Sequence, residues 1–115
     1  MPVLSITTSN DLFESVREKI LREASVVVAR SLGKSEAAVM VTLRSGHNLF
    51  GGDPGPSAFL ELRSASSLDS NTTSKVAQGL CEIMEKEGDV PQERIYLNFM
   101  QLRRSDWGWN GKLLL

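Results

Sequence analysis

The side chains with the clearest capacity for chemistry lie near the two ends of the chain. Pro2 follows Met1, so removal of Met1 leaves a secondary amine at the start of the protein. A free α-amino group titrates near about pH 8 in model peptides, and apolar surroundings or a nearby ammonium would lower that pKa. Pro2 is therefore a candidate general base. Its alternative role is to begin an edge strand, where no backbone N–H is needed.

Aromatic and amide side chains near the C-terminus form a second candidate group. Tyr96 and Asn98 are two residues apart in an apolar segment, so on a strand they project from one face and can form one wall of a pocket. A tyrosine packed at an interface is the alternative. Trp107 and Trp109 also share a face if the chain is extended there. They would then either line a pocket or pack in a C-terminal hairpin.

Composition argues against several other kinds of protein. The chain has 13 basic and 14 acidic side chains and a net charge of -1, so no overall field attracts nucleic acid or an anionic membrane. No stretch is long and apolar enough to cross a bilayer, and the start has no export-signal pattern. One cysteine, Cys81, and one histidine, His47, give no redox pair, nucleophile constellation or metal site.

The first half of the chain predicts a β-α-β unit. Residues 3–7 are apolar or β-branched, which predicts a strand, and Asn10-Asp11 with Glu14 indicates a helix start. Gly33 is placed to end this helix, and residues 39–43 predict a second strand. Apolar residues at three- and four-residue steps predict that the helix lays one side on a sheet; they are Phe13, Val16, Ile20, Ala24 and Val27.

The second half repeats this order after a loop rich in turn-forming residues at 45–56. Residues 58–63 alternate as a strand does, the polar run 64–73 precedes an apolar helical stripe, and residues 95–100 predict a fourth strand. Gly88 is expected to repeat the role of Gly33. These two glycines are separated by roughly 55 positions, which indicates a duplicated unit.

The pattern predicts an α+β fold in a single domain covering residues 1–115. Two right-handed β-α-β units place both helices on one face of a four-stranded sheet. The other face is then uncovered, although Val3, Phe59, Tyr96 and Met100 are expected to project from it. Because that surface is too apolar to face water, we expect a partner subunit to cover it.

Five short segments occur in order along nearly the whole chain: Met1-Pro2, Gly33-Lys34, Phe50-Gly51-Gly52, the run from Arg94 to Asn98, and Gly108-Trp109-Asn110. In combination they resemble the macrophage migration inhibitory factor family of the tautomerase superfamily. The resemblance implies a homotrimer with active sites at subunit boundaries. It also implies keto-enol tautomerisation of phenylpyruvate-like or dopachrome-like compounds, with Pro2 as the base and no cofactor or metal.

The resemblance gives roles to further residues. The Lys34 ammonium would bind the substrate carboxylate and lower the pKa of Pro2. Without the resemblance, an ordinary lysine that faces the dipole at the end of a helix is the favoured interpretation. A backbone N–H in the turn at Ser64 and Ala65 would bind the same carboxylate. Asn98 would contact the ring end of the substrate, beside Tyr96, and the tryptophans would line the rim.

The chain departs from the family pattern at two of these positions. Ala65 stands where a bulky aliphatic residue is usual, and Trp107 where a smaller aliphatic residue is typical. The pocket walls are therefore expected to differ in shape from those of the family. The segment 57–60 also lacks the cysteine pair of some members, so thiol-disulfide exchange is not expected.

Two other functions stay open. A cytokine-like signalling or host-directed binding protein, with a protein receptor as its partner, would keep the fold while catalysis became vestigial. The other open function is hydration, dehalogenation or decarboxylation with the same proline. Superfamily members with these activities generally add arginines or acids to the pocket, and none is recognisable here. The resemblance implies a cytoplasmic protein, or one secreted without a signal peptide.

Overall fold

A computed structural model describes all 115 residues. The strands and helices are β1 (Pro2–Thr8), α1 (Glu14–Leu32), β2 (Met40–Ser45), β3 (Ala58–Ser64), α2 (Ser70–Lys86), β4 (Ile95–Gln101), β5 (Gly108–Trp109) and β6 (Lys112–Leu113). Single turns of 3-10 helix at Glu36–Ala38, Gln92–Arg94 and Arg104–Asp106 lead into β2, β4 and β5. Neither α1 nor α2 combines the length and the hydrophobicity that crossing a membrane requires.

The main sheet contains four strands in the order β2-β1-β3-β4. The pairs β1–β2 and β3–β4 are parallel, and β1 and β3 meet antiparallel at the centre. Each parallel pair is joined through one helix, so the two β-α-β units repeat about the central pair. The predicted α+β fold, with its four-stranded sheet and two helices, is confirmed.

The core lies between the sheet and the two helices. Alternate residues of β1 and β3 are fully buried, because successive side chains of a strand point to opposite faces. The buried apolar side chains include Leu4, Ile6, Leu60 and Leu62 from the sheet and Ile20, Ala24, Val28, Val76, Leu80 and Met84 from the helices. The helices approach closely at Gly79, where an added Cβ would lie 2.8 Å from Val27 Cγ1.

The opposite face of the sheet is open in the single chain. Phe59, Tyr96 and Met100 are 39%, 67% and 49% exposed, which confirms that these residues project outward. Met40 adds a further exposed apolar side chain beside Val3. This face is the surface for which the sequence predicts a covering subunit.

The start of α1 differs from the prediction. The helix begins at Glu14, and its N-cap is Phe13, which supplies no side-chain hydrogen bond. The expected burial of Phe13 is wrong, since the side chain is 83% exposed. The capping role expected near Asn10 is also wrong, because its side-chain amide donates to the Gly88 carbonyl (2.9 Å) and the Asp89 carbonyl (3.2 Å) instead. These bonds join the strand-to-helix loop to the end of α2.

The two helix-ending glycines are not equivalent. Gly33 adopts the left-handed conformation expected of it (φ 65°) and its N–H donates to the Arg30 carbonyl. The same expectation for Gly88 is wrong, because Asp89 is the residue with positive φ (57°). Gly88 is instead a close-approach position, since a Cβ there would lie 2.8 Å from the Met84 carbonyl oxygen.

Candidate active site

An apolar pocket of about 500 Å³ surrounds the start of the chain. Eight of its eleven lining residues are hydrophobic. The lining combines the first residues of β1, the segment leading into β2 and the C-terminal hairpin: Met1, Pro2, Val3, Ser35, Ala37, Ala38, Val39, Met40, Trp107, Gly108 and Trp109. No carboxylate side chain is among them, so nothing in the lining repels an anionic ligand.

Pro2 is the first residue of β1 and is buried opposite Ser64 of β3. Met1 precedes it at the pocket, so the nitrogen of Pro2 is an amide in this form of the chain. The pKa of the terminal α-amino group is lowered, first by burial and then by the positive charges of Lys34 and Arg104. The surroundings therefore favour a neutral amine at the beginning of the protein.

Lys34 is held at the end of α1 by the backbone turn around Gly33. Its own N–H donates to the Ala29 carbonyl at 2.8 Å, which fixes the point from which the side chain extends. Lys34 is exposed and forms no ion pair within the chain. The positive charge of Lys34 is one of the causes that lower the pKa of the terminal amine.

The turn after β3 places a free backbone donor next to Pro2. Ser64 is fully buried; its Oγ accepts from the Ser66 N–H at 3.1 Å, and its carbonyl accepts from the Leu102 N–H at 2.8 Å. The N–H of Ala65 makes no hydrogen bond within the chain. Ala65 is half-buried, so a donor without a partner lies one residue beyond the position opposite Pro2.

The C-terminal hairpin carries both tryptophans to the pocket. Asn110 and Gly111 both have positive φ (54° and 76°), the conformation of a two-residue hairpin turn, and this turn joins β5 to β6. The Leu114 N–H donates to the Trp107 carbonyl at 3.1 Å, which continues the hairpin. Trp107 and Trp109 both line the pocket. The two roles considered for them, lining a pocket and packing in a hairpin, therefore occur together.

Tyr96 and Asn98 do not lie in this pocket. Tyr96 pairs with Phe59, five register positions along β3 from Ser64 and Pro2, which is about 17 Å at the rise of a strand. Its ring instead contacts Phe50, with the ring centroids 4.9 Å apart. Asn98 shares its exposed face. One chain therefore brings Pro2 and the two tryptophans into one pocket. Lys34 precedes Ser35 of the lining and Ala65 follows Ser64, the partner of Pro2, whereas Tyr96 and Asn98 lie on the open face.

Comparison with known proteins identifies the relationship. The family model described as Macrophage migration inhibitory factor (MIF) matches residues 1–115. The chain belongs to the macrophage migration inhibitory factor family. It is 31% identical over 112 residues to the macrophage migration inhibitory factor homolog of Brugia malayi, covering 96% of each chain.

Solved structures of other family members agree. The macrophage migration inhibitory factor of Toxoplasma gondii superposes with a TM-score of 0.93 at 29% identity, over 96% of this chain and 98% of that one. The homologue from Prochlorococcus marinus gives a TM-score of 0.91 at 30% identity, over 97% and 98%. The family, and with it the tautomerase superfamily, is confirmed as the five segments predicted.

One part of this family member's pocket was missed in the sequence: the apolar wall at 37–40, which carries no distinctive motif. The sequence also did not single out Arg104, whose charge contributes to the lowered pKa of the terminal amine although the residue is not part of the pocket lining. Adjacent Arg103 has the same side chain but pairs with Asp106 at 2.8 Å.

Proposed function

We propose that this protein is a keto-enol tautomerase for phenylpyruvate-like or dopachrome-like substrates, with the amine of Pro2 as catalytic base once Met1 is removed. The observation that carries the proposal is the lowered pKa of the α-amino group at the start of the chain, to which the charge of Lys34 contributes, beside an apolar pocket that Pro2 lines. A neutral amine close to a cation is what proton abstraction next to a carbonyl group requires.

In the proposed reaction the neutral Pro2 amine takes a proton from the carbon beside the keto group. The electrons of the broken C–H bond form the C=C bond of an enolate. The enolate oxygen then takes a proton from water, and the protonated Pro2 amine returns its proton to the solvent. The reverse direction returns the proton to carbon from the protonated amine. Lys34 and the unpartnered N–H of Ala65 hold the substrate carboxylate, and this orientation brings the carbon to the amine.

The complete site is proposed to need more than one subunit. Tyr96 and Asn98 are exposed on the open sheet face, together with Phe59 and Met100. A second copy that covers this face removes apolar surface from water. In a homotrimer, Tyr96 and Asn98 of one subunit complete the pocket around Pro2 of the next, where Asn98 contacts the ring end of the substrate.

The experiment is an activity assay combined with intact-mass measurement. The mass shows whether Met1 has been removed, and turnover of phenylpyruvate and of a dopachrome ester is measured on the same sample. Pro2→Gly is expected to reduce turnover by about 100-fold or more while the trimer persists in analytical ultracentrifugation. A variant as active as the wild type would overturn the mechanism. Absence of turnover on any keto acid, with binding to a receptor ectodomain, would favour the cytokine-like alternative.

A further inference from the structure

The loop between β2 and β3 contains a tight turn that starts at Phe50. The Phe50 N–H donates to the Asp53 carbonyl and the Asp53 N–H donates to the Phe50 carbonyl, both at 3.0 Å. Gly51 and Gly52, between them, have positive φ (59° and 78°), the conformation that favours glycine in a two-residue hairpin turn. The turn therefore holds the backbone of Phe50 in a defined position.

Arg94 joins this turn to the start of β4. Its guanidinium donates to three carbonyl groups of the loop, and its Cζ lies over the Phe50 ring, 5.3 Å from the ring centroid. A guanidinium at this distance is attracted to the face of an aromatic ring. Because Arg94 immediately precedes β4, one side chain connects the Phe50 ring to the strand that carries Tyr96.

Phe50 is the aromatic neighbour of Tyr96. The ring centroids are 4.9 Å apart and the ring planes are tilted by 52°, a separation at which aromatic pairs attract each other. Tyr96 is otherwise 67% exposed. A cavity of about 480 Å³ is lined by both rings, so there is space into which an unrestrained tyrosine ring could turn. The contact with Phe50 therefore restricts the orientation of the Tyr96 ring.

The orientation of Tyr96 matters because of its distance from Asn98. Both side chains lie on the open face of β4, and two residues along a strand span about 6.6 Å. With Asn98 at the ring end of the substrate, Tyr96 is about one ring length away and can contact the ring itself. Aromatic pairs prefer offset or edge-to-face geometries, so the affinity for a substrate ring depends on how the tyrosine ring is held.

We propose that Phe50 is a positioning residue for the aromatic ring of the substrate. It holds Tyr96 in the orientation in which the tyrosine of one subunit contacts the substrate bound beside Pro2 of the next. This inference rests on the proposed function, which it extends to the selection of aromatic substrates. Because Phe50 acts through Tyr96, loss of its ring weakens binding of the substrate ring and leaves the proton transfer at Pro2 unchanged.

The kinetic test measures kcat and KM for phenylpyruvate in the wild type, Phe50→Leu, Phe50→Tyr and the matched control Phe13→Leu. Phe50→Leu is expected to raise KM about three- to tenfold, the scale of one aromatic contact, and to change kcat by less than about twofold. Phe50→Tyr keeps the ring and should bring KM to within about twofold of the wild type. Phe13→Leu makes the same change at a phenylalanine that is 83% exposed and should match the wild type.

A spectroscopic test observes Tyr96 directly. Tyr96 is the one tyrosine of the chain, so incorporation of 3-fluorotyrosine gives a fluorine NMR signal from this ring alone. Phenylpyruvate should shift the signal in the wild type. The dissociation constant obtained from this titration should rise in Phe50→Leu by the same factor as KM. Phe50→Tyr adds a second tyrosine and is used only in the kinetic test.

An unchanged KM in Phe50→Leu would overturn the inference, and so would a Phe50→Tyr variant that binds no better than Phe50→Leu. Loss of kcat together with loss of the trimer in analytical ultracentrifugation would overturn it in favour of a role in assembly. If Phe50→Leu fails to fold, Phe50→Met replaces it with the same expected rise in KM. Turnover without a shift of the Tyr96 signal refutes only the role of Phe50, and a shift without turnover refutes only the tautomerase proposal.

Discussion

The proposed base can be tested by moving the terminal amine by one residue. Insertion of an alanine between Met1 and Pro2 gives, after removal of Met1, a chain that begins Ala-Pro. The nitrogen of Pro2 is then an amide with no basic lone pair. The fold tolerates a residue in this place, because Met1 itself precedes Pro2 in the structure while Pro2 keeps its pairing with Ser64.

The expected loss follows from geometry. One residue shifts the amine by up to about 3.8 Å, whereas a general base works only within about 2.6–3.2 Å of the proton it abstracts. Loss of a general base typically costs about 10²- to 10⁴-fold in rate, and we expect that loss in kcat/KM for phenylpyruvate. Stability is expected to change by less than about 0.5 kcal/mol, because the added residue makes no core contact.

The assay follows the ultraviolet absorbance of the phenylpyruvate enol, and intact mass confirms the first residue of each sample. An alanine added after Leu115 gives a control of identical mass with an unaltered N-terminus, and it should retain wild-type activity. Unfolding in urea checks that all three chains are equally stable. Full activity of the Ala-Pro chain would refute the assignment of Pro2, because no basic nitrogen would remain at that position.

Three further substitutions test the electrostatics of the site and the packing of the fold. Lys34→Gln removes a cation that lowers the amine pKa. Since the neutral amine is the active form, the acid limb of the pH profile of kcat/KM should move to higher pH. The control Lys75→Gln should leave this limb in place, and an unmoved limb in Lys34→Gln would contradict the charge argument. Arg94→Leu removes hydrogen bonds to three loop carbonyl groups. It is expected to lower the free energy of unfolding, measured in urea, by about 1–3 kcal/mol. An unchanged urea midpoint would show that these hydrogen bonds do not stabilise the fold. Gly79→Ala places a Cβ 2.8 Å from Val27 Cγ1 and should cost about 1 kcal/mol net, because overpacking costs about 1–3 kcal/mol and the helix gains about 1. Val27→Ala should relieve that cost in the double variant, and simple additivity of the two changes would count against the contact.

The fold could be predicted because its determinants are local and repeated. Alternation at Ala58, Leu60 and Leu62 gives the strand period directly, and Gly33 ends α1 as glycine does after a helix. Phe13 was placed wrongly because an apolar residue at a helix start fits the helical period whether or not the sheet reaches it. Tertiary packing decides that question, and here it buries Ile20 and not Phe13.

The site was only partly predictable, because its parts depend on register and pairing. Tyr96 and Asn98 do share a face, as their spacing requires, but the pairing of β4 with β3 sets that face far from Pro2 within one chain. The two-residue spacing determines only that the side chains of Tyr96 and Asn98 point the same way. It contains no information about their distance from Pro2 on another strand. The proposed function requires assembly to unite these groups, so activity and oligomeric state are expected to be lost together.

The neighbouring arginines show the same limit at the level of charge. Arg103 and Arg104 contribute equally to composition and net charge, yet Asp106 pairs with Arg103 and not with Arg104. A chain with a net charge of -1 therefore has two unpaired cations, Lys34 and Arg104, whose charges lower the pKa of its terminal amine. Net charge describes solubility and long-range attraction, whereas the anion that enters a pocket is selected by which cations lack partners, and that property exists only once the chain is folded.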